Sequence, residues 1–223
     1  MSRRGILYIT WGDKPDAVLQ RAMDSAARHH GELPVHVVRL PAEATLLEKA
    51  AMFDMTPFEE TLFLDADTVV LGRLDFGFDK AVRHGMACAI CECPWARRYT
   101  GLSGDLVEYN TGVIFFTAAA RPVFDAWRAL AAAVDSSTPI FVKDRLAHMP
   151  LNDQAGFALA VERTGFLPFV LPLNWNFRPR WHKSLFGPVK IWHDYREVTD
   201  DIHEWNRIQA DERQVIQYTE LLS

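Results

Sequence analysis

Two hydrophobic periods alternate along the N-terminal half of the chain. Residues 5–10 form a β-rich run closed by Trp11-Gly12-Asp13, a turn signal. Val18, Ala22 and Ala26 then recur at helical spacing, with Pro15 in the first turn and Gly31 stopping the helix after His29 and His30. Residues 35–40 read as a second strand. Residues 46–53 read as a helical stretch, which Pro57 limits because it disfavours a helical Thr56. Residues 61–64 are a third strand, apolar enough to be buried on both faces. Residues 86–90 and 113–116 predict two more strands. An Ala-rich helix over 122–134 places Phe124, Trp127, Leu130 and Val134 on one face. Another helix is expected over 152–163 with Gly165 beyond its end, then strands at 170–171 and 189–192. A final helix near 204–222, closing the chain over 203–223, would align Trp205, Ile208, Val215 and Leu222. Repeated strand–helix–strand order predicts an α/β fold, with a mostly parallel sheet flanked by helices. No repeat, low-complexity tract or linker divides residues 1–223, so a single domain is expected.

Composition narrows the function classes. At 223 residues the chain can bury a large core without disulfides or a structural metal. Its net charge of −5 argues against a phosphate-tracking surface, so nucleic acid is not an expected partner. The apolar run 6–9 gives way to polar residues at 10–14, leaving no signal-peptide core and no integral membrane segment. Cys88, Cys91 and Cys93 are odd in number and clustered, which fits a reducing, cytoplasmic setting rather than a disulfide framework. They could form half a zinc site, but no second Cys/His cluster has matching spacing and Cys88 lies in a core strand.

The loop after the first strand lacks G-x-G-x-x-G, so a dinucleotide site is not supported. Ligands of such sheets still bind beyond the carboxyl ends of the strands. There the sequence reads Leu62-Phe63-Leu64-Asp65-Ala66-Asp67-Thr68-Val69-Val70. In an extended chain residues two apart point the same way, so Asp65 and Asp67 could address one ligand together. Two acids at a buried strand end need positive compensation, and Mn²⁺ or Mg²⁺ shared with substrate phosphates would supply it. Alternatives are a surface turn in which one Asp caps the next element, and a haloacid-dehalogenase-like phosphatase with Asp65 as nucleophile. The phosphatase would need a later acidic pair, for which Asp200-Asp201 is available.

From this point the sequence resembles the retaining glycosyltransferases of the GT-A fold, particularly the glycogenin and bacterial galactosyltransferase group, family 8. Residues 62–71 resemble its D-x-D strand, and Lys49 lies about as far upstream as its diphosphate-contacting lysine or arginine. Tyr109-Asn110-Thr111-Gly112-Val113 resembles the segment lining the donor sugar, and Asn152-Asp153-Gln154 its Asp-Gln pair beside the reacting carbon. Leu171-Pro172-Leu173-Asn174-Trp175-Asn176 resembles its late Leu-Pro…Trp-Asn stretch, and Lys190-Ile191-Trp192-His193 the strand ending in a metal-binding His. Taken alone, Lys49 could be a solvated helix lysine, Asn110-Thr111-Gly112 a turn, Asp153 a helix cap and His193 an idle strand end.

The resemblance implies retaining transfer of a sugar from a nucleotide-diphosphate donor, with UDP as the expected nucleotide, to a glycan, lipid-linked sugar or protein acceptor. Asp65, Asp67 and His193 would hold Mn²⁺ (or Mg²⁺). Lys49 would meet the diphosphate, Asn110 and Asp153 the donor-sugar hydroxyls, and Thr111 and Gly112 would line that subsite. Gln154, with Asp153, would carry the catalytic role near the anomeric carbon. The chain departs from the family twice. Asp194-Tyr195-Arg196-Glu197-Val198 replaces the expected Gly and Lys-Pro-Trp after the histidine, leaving Arg196 as a candidate phosphate ligand. No Tyr follows Thr10 to stack on the base, and Trp11 could serve instead. The altered segment also fits a sugar-nucleotide-binding relic without turnover. Residues 174–183 (NWNFRPRWHK) interleave aromatics with bases, as an acceptor-sugar platform or a single-strand nucleic-acid surface would; plain packing of the two Trp is the third reading.

Overall fold

A computed structural model describes residues 3–12, 16–91, 103, 105–134, 138–142, 144–149, 152–209 and 217–219. Pro15, Cys93, Val215 and Leu222, on which parts of the sequence reading fall, lie outside them. Strand β1 (Arg4–Thr10) is followed by α1 (Asp16–His30) and β2 (Val35–Arg39), as the periodicity predicts. The next helical stretch is a 3₁₀ turn over Leu46–Ala51 running into the short α2 (Met52–Met55), with Thr45 as its cap. Strand β3 (Glu60–Leu64) is buried throughout. Even its edge residue Glu60 is buried, held by Arg3 and Arg4 at 2.6 Å each.

The D-x-D segment is not one strand. The chain turns after β3 and resumes as β4 (Thr68–Val70). Residues 75–84, to which the hydrophobic pattern assigned no element, form α3 (Asp75–His84). Strands β5 (Met86–Ile90) and β6 (Tyr109–Thr117) follow, then α4 (Arg121–Ala131), the hairpin β7 (Thr138–Val142) and β8 (Arg145–Met149), and α5 (Gln154–Thr164). Gly165 ends α5 in the left-handed region, at φ 63°, where only glycine sits without strain. Strands β9 (Phe169–Leu171), β10 (Ser184–Phe186) and β11 (Ile191–His193) precede α6 (Asp200–Ile208) and β12 (Gln217–Thr219).

The single helix expected over 204–222 is therefore corrected. Helix α6 buries Ile202 and Trp205 but leaves Ile208 exposed, so a longer helix would find little apolar surface to cover. The chain instead returns as β12, which pairs antiparallel with β10 and stacks Tyr218 edge-on against Trp205 at 5.5 Å.

Six strands form the central sheet in the order β2-β1-β3-β6-β5-β9. Pairs β1–β2, β1–β3 and β5–β9 are parallel, and only β6 runs against its neighbours. Strand alternation divides the core in two. Ile6, Tyr8, Leu62, Leu64, Val113 and Phe115 face α1 and α3, where Leu19, Ala22 and Phe78 meet them. Leu7, Ile9, Phe63, Ile114 and Phe116 face α4 and α5, packing on Phe124, Trp127 and Phe157. A third cluster around Val69, Phe177, Trp192 and Trp205 fixes the C-terminal strands on β4. Both sheet faces are covered, which is why the central strands read as unbroken apolar runs. No helix among the described residues is long and apolar enough to cross a membrane.

Candidate active site

The turn between β3 and β4 gathers the two acids. Asp65 extends the ladder by donating its N–H to the Gly112 carbonyl on β6 at 2.8 Å. The chain then reverses, with Thr68 donating to the Asp65 carbonyl from its N–H (3.2 Å) and its hydroxyl (2.8 Å). Ala66 and Asp67 thus lie in a turn, and the carboxylates converge by chain reversal rather than by the strand alternation their spacing suggested. Strand β11 pairs antiparallel with β4 and sets His193 opposite Thr68. The next residue, Asp194, donates its N–H to the Asp67 carbonyl at 3.0 Å.

This pairing places His193 Nε2 3.4 Å from Asp67 Oδ1 and 3.8 Å from Asp65 Oδ2. One ligating atom from each of the three residues lies within 4.8 Å of the others. Burial pushes the Asp67 carboxyl up, but a protonated His193, the local backbone and the more distant Lys49 outweigh it in the metal-free site and hold it at about 2. Two carboxylates and an imidazole suit a hard-to-borderline cation such as Mn²⁺ or Mg²⁺.

A chain of amides fixes the histidine. Asn110 Oδ1 accepts from the Gly112 N–H at 3.0 Å and from Asn176 Nδ2 at 2.8 Å, while Asn110 Nδ2 donates to Gln154 Oε1 at 2.8 Å. That leaves Asn176 Oδ1 to accept from His193 Nδ1 at 2.8 Å. A proton is thereby assigned to Nδ1, so Nε2 is the atom turned to the carboxylates and, on losing its own proton, the one that would ligate a metal. Asn176 closes the Leu-Pro…Trp-Asn stretch, and that likeness carries no role for it. Its link to a histidine seventeen positions on leaves no trace in sequence spacing.

Lys49 lies under the site rather than in solvent. It is 1% exposed, with Nζ 3.0 Å from Asp65 Oδ1, 3.3 Å from Asp153 Oδ2 and 3.4 Å from Thr111 Oγ1. Burial works against its charge, but the carboxylates of Asp153 and Asp65 more than compensate and raise its pKa. Asp153 stands at the N-terminus of α5 without making a side-chain cap. Asn152 accepts from the Gln154 N–H instead, at 2.7 Å, so the Asp153 carboxylate is available to Lys49 and to Thr111 Oγ1, which donates to it at 2.7 Å. Gln154 Nε2 is 3.4 Å from Cys91 Sγ. Lys49, Asn110, Thr111, Gly112, Asp153 and Gln154 are thus brought together with the three candidate ligand residues.

Gly112 is demanded by this crowding. A Cβ there would lie 2.3 Å from His193 Cε1 and 2.7 Å from Asp65 Oδ2, closer than real Cβ atoms come. Gly112→Ala should displace two ligands at once and weaken Mn²⁺ binding at least ~10-fold, the scale seen when a metal's supporting shell is disturbed. Calorimetric titration checks this. Unchanged affinity in a folded variant would show that His193 and Asp65 do not share an ion.

Thr10 and Trp11 lie elsewhere, at the carboxyl ends of β1 and β2. With Gly12, Arg39, Leu40 and Ala42 they line a cavity of about 240 Å³. Arg196, the candidate phosphate ligand, folds onto Asp194 through bonds of 2.9 and 3.0 Å. Its segment is pinned by Arg21 of α1, which donates to the carbonyls of Asp194 (3.0 Å), Tyr195 (3.1 Å) and Arg196 (3.2 Å). Asp200 and Asp201 begin α6, where the Asp201 carboxylate accepts from Thr199 and Tyr218, and neither joins the Asp65 group. Cys88 is fully buried, which pushes its thiol up, and no cysteine joins a metal-ligand group among the described residues.

No protein-family model matches the chain, and no curated protein matches its sequence. Solved structures do match its fold. The galactosyltransferase LgtC, in complex with donor and acceptor sugar analogs, is 13% identical, with 92% of this chain and 96% of that one covered at a TM-score of 0.55. Apo mouse xyloside xylosyltransferase 1 is 15% identical, with 85% and 97% covered at a TM-score of 0.58. The apo glycosyltransferase GlyE of Streptococcus pneumoniae TIGR4 is 11% identical, with 94% of this chain but 61% of that one covered at 0.54. The chain has the GT-A fold of these proteins.

Proposed function

We propose that the protein is a metal-dependent glycosyltransferase that moves a sugar from a nucleotide-diphosphate donor to an acceptor hydroxyl. The observation that carries this is the convergence of Asp65, Asp67 and His193 at the strand ends of a GT-A fold. UDP is the proposed nucleotide, and transfer with retention follows the family-8 resemblance.

In the transfer the bond from C1 of the sugar to the diphosphate oxygen breaks, and its electron pair leaves with the diphosphate. The acceptor oxygen forms the new bond to C1 and gives up its proton to the departing diphosphate. A bound Mn²⁺ or Mg²⁺ would act as a Lewis acid on the departing diphosphate. Asp65, Asp67 and His193 would hold it. Lys49, already balanced by Asp65 and Asp153, orders those carboxylates and adds a positive charge under the donor. Asn110 and Asp153 would receive donor-sugar hydroxyls, and Gln154, held at both ends of its amide by Asn110 and Cys91, would face the anomeric carbon.

The nucleobase is assigned to the cavity beside Trp11. A ring stacked on a base contributes about 1–3 kcal/mol in nucleic-acid complexes, so Trp11→Ala should weaken UDP binding roughly 10-fold or more. The whole reading is tested by nucleoside-diphosphate release from a panel of nucleotide sugars, with Mn²⁺ and with excess EDTA. A donor that raises the melting temperature only with metal, and turns over only with metal, supports it. Turnover unaffected by EDTA would remove the metal from the mechanism, and metal-dependent binding without turnover would leave a binding relic.

A further inference from the structure

A second cavity, of about 440 Å³, opens directly on the ligand set. Asp67 and His193 are in its wall, together with Arg178, Arg180, Trp181 and Tyr195. It shares no lining residue with the cavity at Trp11. With the base, the metal and the Asn110–Gln154 region assigned to the donor, this cavity offers space for the acceptor beside the candidate metal centre.

Its chemistry is specific. Arg196 also lines it, but that guanidinium is matched by Asp194. Arg180 is exposed and makes no hydrogen bond or ion pair among the described residues. Arg178 stands next to it in the wall, its guanidinium 6.0 Å from the Trp181 ring centre. Three arginines and two carboxylates, Asp67 and Asp194, thus line the cavity; Arg196 is held by Asp194 and Arg178 reaches Cys91 Sγ at 3.9 Å, while Arg180 is exposed beside the candidate metal centre. Trp181 and Tyr195 are 45% and 59% exposed, two large rings offered to solvent on the same wall. Exposed rings of this kind mark a binding face, and the C–H face of a sugar is a suitable partner.

We propose that this cavity takes the acceptor, and that the acceptor is an anionic sugar. Its ring would rest on Trp181 and Tyr195 while a carboxylate or phosphate pairs with Arg180 beside Arg178. Guanidinium groups match both anions through paired N–H donors. The inference rests on the glycosyl-transfer reading above, and its test is read separately from that reading.

The experiment uses whichever donor supports Mn²⁺-dependent nucleoside-diphosphate release. Acceptors are offered in matched pairs: methyl β-D-glucuronide with methyl β-D-glucoside, and glucose 6-phosphate with glucose. Binding of the same four compounds in the presence of Mn²⁺ and UDP is followed by ligand-observed NMR. The anionic member of at least one pair should be preferred at least ~10-fold, as a charge-assisted bond allows. Arg180→Ala should bring that preference close to one, and Arg180→Lys should retain part of it. Equal handling of both members of each pair by the wild type overturns the proposal. So does a preference that survives in Arg180→Ala and in the double variant with Arg178→Ala. A rise in donor KM that is the same for neutral and anionic acceptors also overturns it, because the arginines would then serve the donor diphosphate. Absence of metal-dependent release with any donor is a failure of the enzyme reading, and the NMR preference alone then decides whether the cavity selects anionic sugars.

Discussion

Asp67→Asn is expected to lower Mn²⁺-dependent nucleoside-diphosphate release about 1,000-fold or more while leaving the fold intact. Asp67 is ionised throughout the neutral range, held at about 2, so asparagine removes a full negative charge with almost no change of shape. Its side chain has no structural duty comparable to that of Asp65, because its close partner is His193, at 3.4 Å. The turn is made by backbone groups and by Thr68, which the substitution spares. A metal acting on a departing diphosphate supplies several kcal/mol of charge stabilisation, and ~4 kcal/mol corresponds to ~10³ in rate. Asp65→Asn should be as damaging to turnover and should also cost stability, because it takes one of two carboxylates from Lys49. Release kinetics beside a thermal melt separate the two effects. If Asp67→Asn keeps more than about a tenth of wild-type turnover, that carboxylate does not hold the metal. Incorporation of ¹⁸O into Asp65 during turnover would point to the phosphatase chemistry instead.

Lys49→Met should be the most destabilising change in the site. Among the described residues it removes the one cation that meets both Asp65 and Asp153, and Asp153 is only 3% exposed. Breaking a buried ion pair from one side leaves an uncompensated charge and costs about 3–5 kcal/mol. For a chain of this size that corresponds to a fall in melting temperature of very roughly 10 °C. Adding Asp153→Asn to Lys49→Met should recover part of the loss, since the orphaned charge is then removed as well; a double-mutant cycle measures the coupling. If the single variant melts like wild type, the buried cluster is not ionised as drawn. Mn²⁺ in excess should narrow the gap, because a cation at Asp65 compensates one of the two carboxylates Lys49 leaves behind.

Most of the sheet was legible from local pattern. Strands β1, β2, β3, β5 and β6 and helices α1, α4 and α5 appear where the apolar periods placed them, because each buries a face that its own spacing defines. The failures have separate causes. Helix α3 carries a glycine inside it and an exposed Phe76, which blur its stripe, and only the packing of Phe78 and Ala81 on the sheet declares it. The C-terminal segment has apolar residues at helical spacing, yet residues 217–219 pair with β10 as β12, where Tyr218 packs on Trp205.

For the site, the sequence alone determined which residues could do the chemistry: two acids beyond a buried strand, and a family likeness naming Lys49, Asn110, Asp153, Gln154 and His193. Residue type and order along the chain carry that much, because metal ligation and strand burial each restrict what may stand at a position. Only the tertiary structure decided how the groups meet. Asp65 and Asp67 converge through a turn and not through strand alternation. Lys49 is sealed beneath two carboxylates and not held in solvent. Asp153 leaves the helix cap to Asn152, and Asn176 sets the tautomer of His193. Arg196 is spent on Asp194, while Arg180, two strands earlier, keeps its charge available to the cavity. Each of these is a contact between segments distant in sequence, and such contacts depend on which strand lies beside which. Local propensity has no access to that choice, because strand order is set by how whole faces are buried together.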